Sequence, residues 1–145
     1  MYKAIVLDQK SQKWLRDNVR SEDVDVLCHH ITICMGSDSK RKYPFEVGEV
    51  VTVTVEKLGW CLAKDLPEKQ RAKLPDTTND YTILAMCIGV KLPDGKHVKN
   101  DIPHVTLTVD REAGGKPMHS NYCSKWTDMH GCLGATLTGT VRLCE

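Results

Sequence analysis

Two histidines stand in nearly identical settings in this chain. The stretches "CHHITICMG" and "PHVTLTVD" each contain a histidine, one further residue, a threonine and an aliphatic residue. Because side chains alternate in a β-strand, residues two apart lie about 7 Å apart on one face. His30 therefore shares a face with Thr32, and His104 shares a face with Thr106. The opposite face of each strand carries aliphatic side chains suited to a core, including that of Met35.

Two such strands lying side by side would have a specific chemistry available. A phosphodiester between the two imidazoles would meet a general base on one side and a general acid on the other. Histidine suits both roles because its ordinary pKa is about 6.5. The hydroxyls of Thr32 and Thr106 would donate hydrogen bonds to the non-bridging phosphate oxygens. The sequence offers no convincing carboxylate cluster for Mg²⁺ or Mn²⁺, so we predict no metal and no cofactor.

Strands dominate the elements that must position these residues. One helix is predicted after Ser11, which we expect to be its N-cap, with a second short helix near 120–128. The fold class is therefore predicted as α+β, with mainly antiparallel sheets, few outer helices and a single domain over 1–145. The predicted strands cover 2–8, the run that contains His30, a hairpin or bent strand at 50–66, 81–92, the run that contains His104, and 135–145.

The composition of the chain limits the classes of function that we expect. The 145 residues are 41% hydrophobic and 27% charged, with a formal net charge of +1, which is ordinary for a globular protein. No run approaches the roughly 20 apolar residues that span a bilayer, and balanced charge argues against binding to long DNA or RNA. The seven cysteines include no CxxC pair. With no secretory signal in view, we expect a reducing, cytoplasmic location and a small nucleotide or RNA-end substrate.

Further candidates could bind the substrate. A nucleotide base needs a stacking surface, and Trp126, Tyr122 and Tyr43 are the rings that we single out. Lys116 could reach a phosphate, as could Arg41 between Lys40 and Lys42.

Two alternatives receive less weight. His29 adjoins His30 but should point to the opposite face on alternation, which indicates a structural role. The set His119, Cys123, His130 and Cys132 invites a zinc site, but its spacing matches no common finger or ribbon pattern.

The stretches "HITI" at 30–33 and "HVTL" at 104–107 resemble the two His-x-Thr/Ser-x signatures of the two-histidine (2H) phosphoesterase superfamily. That group includes LigT-like RNA 2′,3′-cyclic phosphodiesterases, tRNA-ligase cyclic phosphodiesterase domains, viral 2′,5′-oligoadenylate phosphodiesterases and phage anti-CBASS enzymes. The segment "GGKPMHSN" at 114–121 is similar to one that follows the second signature in tRNA-ligase-like members.

The resemblance implies a two-lobed fold of antiparallel strands with a central cleft. It also implies His30 and His104 as the catalytic pair and Thr32 and Thr106 as phosphate binders. The predicted activity is a metal-independent phosphodiesterase acting on an RNA 2′,3′-cyclic phosphate, 2′,5′-oligoadenylate or a cyclic dinucleotide, in the host cytoplasm if the protein is viral. Two alternatives stay open: a nucleotide-binding module without turnover, and a strand-rich interaction domain. The sequence leaves the linkage cut, the oligomeric state and the acid and base roles open.

Overall fold

The computed structural model describes residues 1–19, 24–35, 43–129 and 134–145. Its elements are mostly strands. The strands are β1 (Tyr2–Leu7), β2 (Asp25–Val26), β3 (His30–Met35), β4 (Val50–Leu62), β5 (Ile83–Lys91), β6 (His104–Val109), β7 (Lys125–Asp128) and β8 (Thr136–Cys144). The helices are α1 (Gln9–Asp17) and α2 (Glu68–Arg71), with 3₁₀ helices at Ala63–Asp65 and Pro117–Tyr122.

Six of the strands close into a ring. β1 pairs with β3 and β8, β4 pairs with β8 and β5, and β6 pairs with β3 and β5, all antiparallel. The two short strands extend the ring, β2 along β6 and β7 along β4. Because β5 hydrogen-bonds to both β4 and β6, the described strands form one continuous sheet that has an inside and an outside.

The inside of the ring is the main core. Alternate residues along each strand point inward, and every one of the six strands contributes aliphatic side chains. Leu15 of α1 packs against the same core. The inward residues of the strands are almost completely buried: Ile5, Ile31, Ile33, Val53, Val55, Ile88, Val90, Val105, Leu107, Leu137 and Val141.

Strict alternation fails at two places in the run that carries the first histidine. The pairing of β3 with β1 shifts by one residue at Ile33, so Ile33 and Cys34 are both buried and Met35 is 55% exposed. The prediction that Met35 faces the core is therefore wrong. Farther back, Cys28 adopts a left-handed backbone conformation with φ 54°, which separates β2 from β3. The predicted single strand is thus two strands joined by an irregular segment.

The predicted strands are otherwise found, but two helix predictions need correction. α1 begins earlier than expected because Asp8, not Ser11, is its N-cap: Asp8 Oδ1 accepts from the Ser11 backbone N–H at 2.7 Å. Ser11 Oγ instead accepts from the backbone N–H of Thr138. Near 120–128, the short α-helix is replaced by the end of the Pro117–Tyr122 helix and by β7, which pairs with β4.

The α+β class with mainly antiparallel strands is confirmed. Two lobes with a cleft between them are not visible in the pairing of the described strands, since all of these belong to one sheet. None of the described helices has the length and apolar character needed to cross a bilayer.

Two valines of β4 test whether the ring interior is the stabilising core. Val53 is 1% exposed and Val50 is 68% exposed. We expect Val53→Ala to lower the free energy of unfolding by about 1.5–3 kcal/mol, because it removes buried methyl groups and leaves a cavity. Val50→Ala should cost less than about 0.5 kcal/mol. Urea unfolding followed by circular dichroism measures both, and equal losses would contradict a core inside the ring.

Candidate functional site

The closed sheet turns both predicted histidines outward on neighbouring strands. Ile31 of β3 lies opposite Val105 of β6, and both side chains are fully buried in the main core. The residues on either side of each therefore point to the outer face, where they meet across the β3–β6 pairing. We call this group the two-histidine face: His30, Thr32, His104 and Thr106.

His30 is half-buried between two other rings. Its ring centroid lies 5.3 Å from that of Tyr2 and 5.3 Å from that of His29. Burial, followed by the charges that His29 and His104 carry when protonated, lowers the pKa of His30 to about 4. The imidazole is therefore neutral at pH 7 and available to accept a proton. His104 is one of these two charges, in keeping with its place on the strand paired with β3.

His104 is more deeply placed, with 8% of its surface exposed. Its Nδ1 lies 2.8 Å from the carbonyl oxygen of Ile102 and its Nε2 lies 3.1 Å from Ser120 Oγ. Burial lowers its pKa, while the hydrogen bond to the Ile102 carbonyl acts in the opposite direction. Both ring nitrogens are thus fixed by neighbours, and the ring orientation is set by the protein.

Ser120 reaches the face from the Pro117–Tyr122 helix. Its hydroxyl also lies 2.7 Å from Thr106 Oγ1, so one side chain joins the imidazole and the hydroxyl of the second motif. The helix is held against β5 by Cys123, whose sulfur lies 2.8 Å from that of Cys87. Cys87 is in turn paired with Thr106 across the sheet. The sheet therefore positions the helix, and the helix positions Ser120.

A second hydrophobic cluster lies under this helix, on the outer side of β4 and β5. Tyr122 packs against its edge, so its half-buried ring has a structural role in this position. The buried members of the cluster are Cys61, Ala63, Leu66 and Leu84.

Trp126 flanks the two-histidine face. It is paired with Gly59 of β4, and its ring extends over both Gly59 and Gly89 of β5. Gly89 lies directly opposite His104. The ammonium of Lys57 is 5.2 Å from the ring centroid, a cation–π contact. An aromatic surface thus borders the second histidine, where the sequence predicts a stacking surface.

Of the other residues predicted to contact the substrate, the structure describes Tyr43 and Lys116 but not Arg41. The ring of Tyr43 contacts that of His97, at 5.4 Å between centroids, rather than either catalytic candidate. Lys116 is exposed at the start of the Pro117–Tyr122 helix, and its backbone N–H donates to Nδ1 of His119 at 3.0 Å. Arg41 lies outside the described residues, as do its two lysine neighbours, and so do two members of the zinc alternative, His130 and Cys132.

Three residues of the site are missed by sequence reasoning. Alternation places His29 on the opposite face, but the irregular segment after Cys28 brings its Nδ1 to 3.1 Å from that of His30. The prediction that His29 points away from His30 is therefore wrong. Tyr2 lies on the first strand, and only the pairing of β1 with β3 brings its ring to His30. Ser120 has a visible signal, its place in "GGKPMHSN", but that segment alone indicates only a loop or cap role.

The two-histidine face combines a half-buried His30 with a His104 that is only 8% exposed. Two cavities of the described structure lie elsewhere, one of about 350 Å³ beside α1 and one of about 440 Å³ beside His97. Neither is lined by His30 or His104. We place the candidate site by its convergent imidazoles and hydroxyls, because neither cavity brings two imidazoles together: the first has none and the second has only His97.

Comparison of the chain with protein-family models, curated proteins and solved structures finds no match.

Gly59 is expected to be required for the position of Trp126. An alanine Cβ at this position would lie 2.5 Å from two atoms of the Trp126 ring, so the rigid ring would have to move as a whole. We expect Gly59→Ala to displace the ring, change the tryptophan fluorescence and cost about 1–3 kcal/mol of unfolding free energy. The double variant with Trp126→Ala is the control, because removing the ring removes the clash. If the unfolding free energies lost in the two single variants simply add up in the double variant, this packing is contradicted.

Proposed function

We propose that the chain is a metal-independent phosphodiesterase that hydrolyses a cyclic or short oligonucleotide phosphodiester on the two-histidine face. The observation that carries the proposal is the placement of both imidazoles and both threonine residues on one outer face of two paired strands. The resemblance to the 2H phosphoesterase superfamily supports it at the level of these motifs. The proposal rests on the site and not on a two-lobed fold.

The chemistry needs one neutral imidazole and one protonated imidazole. The neutral ring takes a proton from water, or from a ribose hydroxyl where the linkage offers one, as the oxygen attacks phosphorus. A new P–O bond forms, the bond to the leaving oxygen breaks, and the protonated ring gives its proton to that oxygen. Hydroxyls of Thr32 and Thr106 donate to the non-bridging oxygens, where negative charge develops.

The surroundings favour a small nucleotide. His30, Thr32 and Thr106 are each partly exposed, so a phosphate can reach this side of the face. Trp126 borders His104 through Gly89 and offers a surface for one base, an interaction worth about 1–3 kcal/mol. Formal net charge is +1, which is too little for binding long nucleic acid through its phosphates. Candidate substrates are RNA 2′,3′-cyclic phosphates, 2′,5′-oligoadenylate and cyclic dinucleotides.

Turnover with EDTA present tests the activity. We expect hydrolysis of at least one of the nucleoside 2′,3′-cyclic phosphates, 2′,5′-oligoadenylate, or 2′,3′- and 3′,3′-linked cyclic dinucleotides. His30→Ala and His104→Ala should each slow it by at least about 100-fold, since each removes a proton donor or acceptor. His97→Ala is the matched control, because its ring contacts Tyr43 elsewhere in the fold. Full activity of either catalytic variant would refute the mechanism, and binding without turnover would favour a nucleotide-binding module.

The pH profile gives an independent check. The pKa of His30 is lowered to about 4 and that of His104 is also lowered below the usual 6.5. The rate should therefore rise with pH through the lower pKa, as the base loses its proton, and fall through the higher one, as the acid loses its proton. We expect a bell-shaped kcat/KM profile with its maximum below pH 6.5. A maximum at pH 8 or above would contradict acid–base catalysis by these two histidines.

A further inference from the structure

The tautomer of His104 follows from its backbone contact. Nδ1 lies 2.8 Å from the carbonyl oxygen of Ile102, and a carbonyl oxygen can only accept. Nδ1 therefore carries a proton and donates it in both charge states of the ring. The charge of His104 is then decided at Nε2 alone, which is a bare acceptor in the neutral ring and a donor in the imidazolium.

The hydroxyl of Ser120 has one proton and three neighbours. It lies 2.8 Å from the carbonyl oxygen of Pro117, 3.1 Å from Nε2 of His104 and 2.7 Å from Oγ1 of Thr106. The Pro117 carbonyl can only accept, so a neutral His104 competes with it for the single serine proton. One of these two acceptors then receives no proton from the serine.

The same network is complete when His104 is protonated. In the protein without substrate, Nε2–H then donates to Ser120 Oγ, the serine proton goes to the Pro117 carbonyl, and Thr106 donates its hydroxyl proton to Ser120. Each of the three contacts has one donor and one acceptor. Because Ser120 is only 4% exposed, an unmade hydrogen bond here would be costly. The network therefore favours the charged ring and opposes the lowering of the His104 pKa by burial. When a phosphodiester binds, the Nε2 and Thr106 protons turn from Ser120 to the oxygens of the phosphate.

The surroundings of His30 favour its neutral form. Its Nδ1 is 3.1 Å from Nδ1 of His29, and a second positive ring beside it would be repelled. Resting on the phosphodiesterase function proposed above, we propose that Ser120 is a positioning residue that holds the acid proton on Nε2 of His104, which makes His104 the general acid and His30 the general base.

This assignment fixes the direction of proton transfer. His30 takes the proton of the attacking water or hydroxyl, and the Nε2 proton of His104 goes to the leaving oxygen as the P–O bond breaks. The elements packed around His104 carry other charged or titratable groups. They are His30 on β3, Cys87 opposite Thr106 on β5, Lys57 over the Trp126 ring on β4, and Lys116 and His119 at the helix that holds Ser120.

Titration of the imidazoles by NMR tests the role of Ser120 without a substrate. Ser120→Ala should lower the pKa of His104 by about half a unit or more, because the imidazolium loses its acceptor, and should leave that of His30 unchanged. Ser120→Thr, which keeps a hydroxyl, should restore the His104 value. Ser124→Ala is the matched control, since that hydroxyl donates to Asp65 instead. An unchanged His104 pKa in a folded Ser120→Ala protein would overturn the proposal.

Leaving-group dependence tests the acid and base roles. On a ribose leaving oxygen, Ser120→Ala should lower kcat by about tenfold with little change in KM, and His104→Ala should lower it further. On a p-nitrophenyl phosphodiester the leaving group needs no proton. The decreases in kcat caused by Ser120→Ala and His104→Ala should therefore be smaller, while the decrease caused by His30→Ala should be unchanged. If the p-nitrophenyl substrate instead restores kcat in His30→Ala and not in His104→Ala, the assignment of acid and base is overturned. If the wild-type protein cleaves nothing, the phosphodiesterase proposal fails, and the NMR titration still decides whether Ser120 holds the proton.

Discussion

Closure of the sheet between β5 and β6 is the constraint on which the site depends. A closed ring has one inside, and that inside must be filled by side chains from every strand. Ile31 and Val105 are fixed there, at 0% exposure and opposite each other. Slipping either strand by one residue would exchange its two faces, moving imidazole into the core and an aliphatic residue to the surface. The outward placement of His30 and His104 is therefore a consequence of core packing.

Glycines and cysteines on the closed sheet also determine which residues pack against its outer face. Gly59 and Gly89 have no side chain on the outer face, so the ring of Trp126 can lie across both and border His104. The contact of Cys87 with Cys123 fixes the Pro117–Tyr122 helix over the neighbouring strands. The outer layer that completes the site is thus attached to β4 and β5, while the histidines stand on β3 and β6.

Alternation predicts the parts of this structure that depend on a strand alone. It places Ile31, Val105 and Leu107 in the core and gives the α+β class. It fails at His29 and Met35, because each follows an irregular position. Such irregularities depend on how β1 and β6 pair with the chain, and that information lies far away in sequence. The contacts of Ser120 and Tyr2 with the two motifs are long-range in the same sense, so no local pattern could show them.

His30 indicates acid–base catalysis more strongly than His104 does. A buried histidine with both nitrogens bound, as in His104, is also what a structural residue looks like. His30 is different, since its Nδ1 faces another imidazole nitrogen and one of those two rings must supply the proton between them. A fold that only needed a strand there would gain more from an aliphatic or hydroxyl side chain. The charges that His29 and His104 carry when protonated both lower the affinity of His30 for a proton, so His30 is held in the neutral state that a general base acting on a phosphodiester needs.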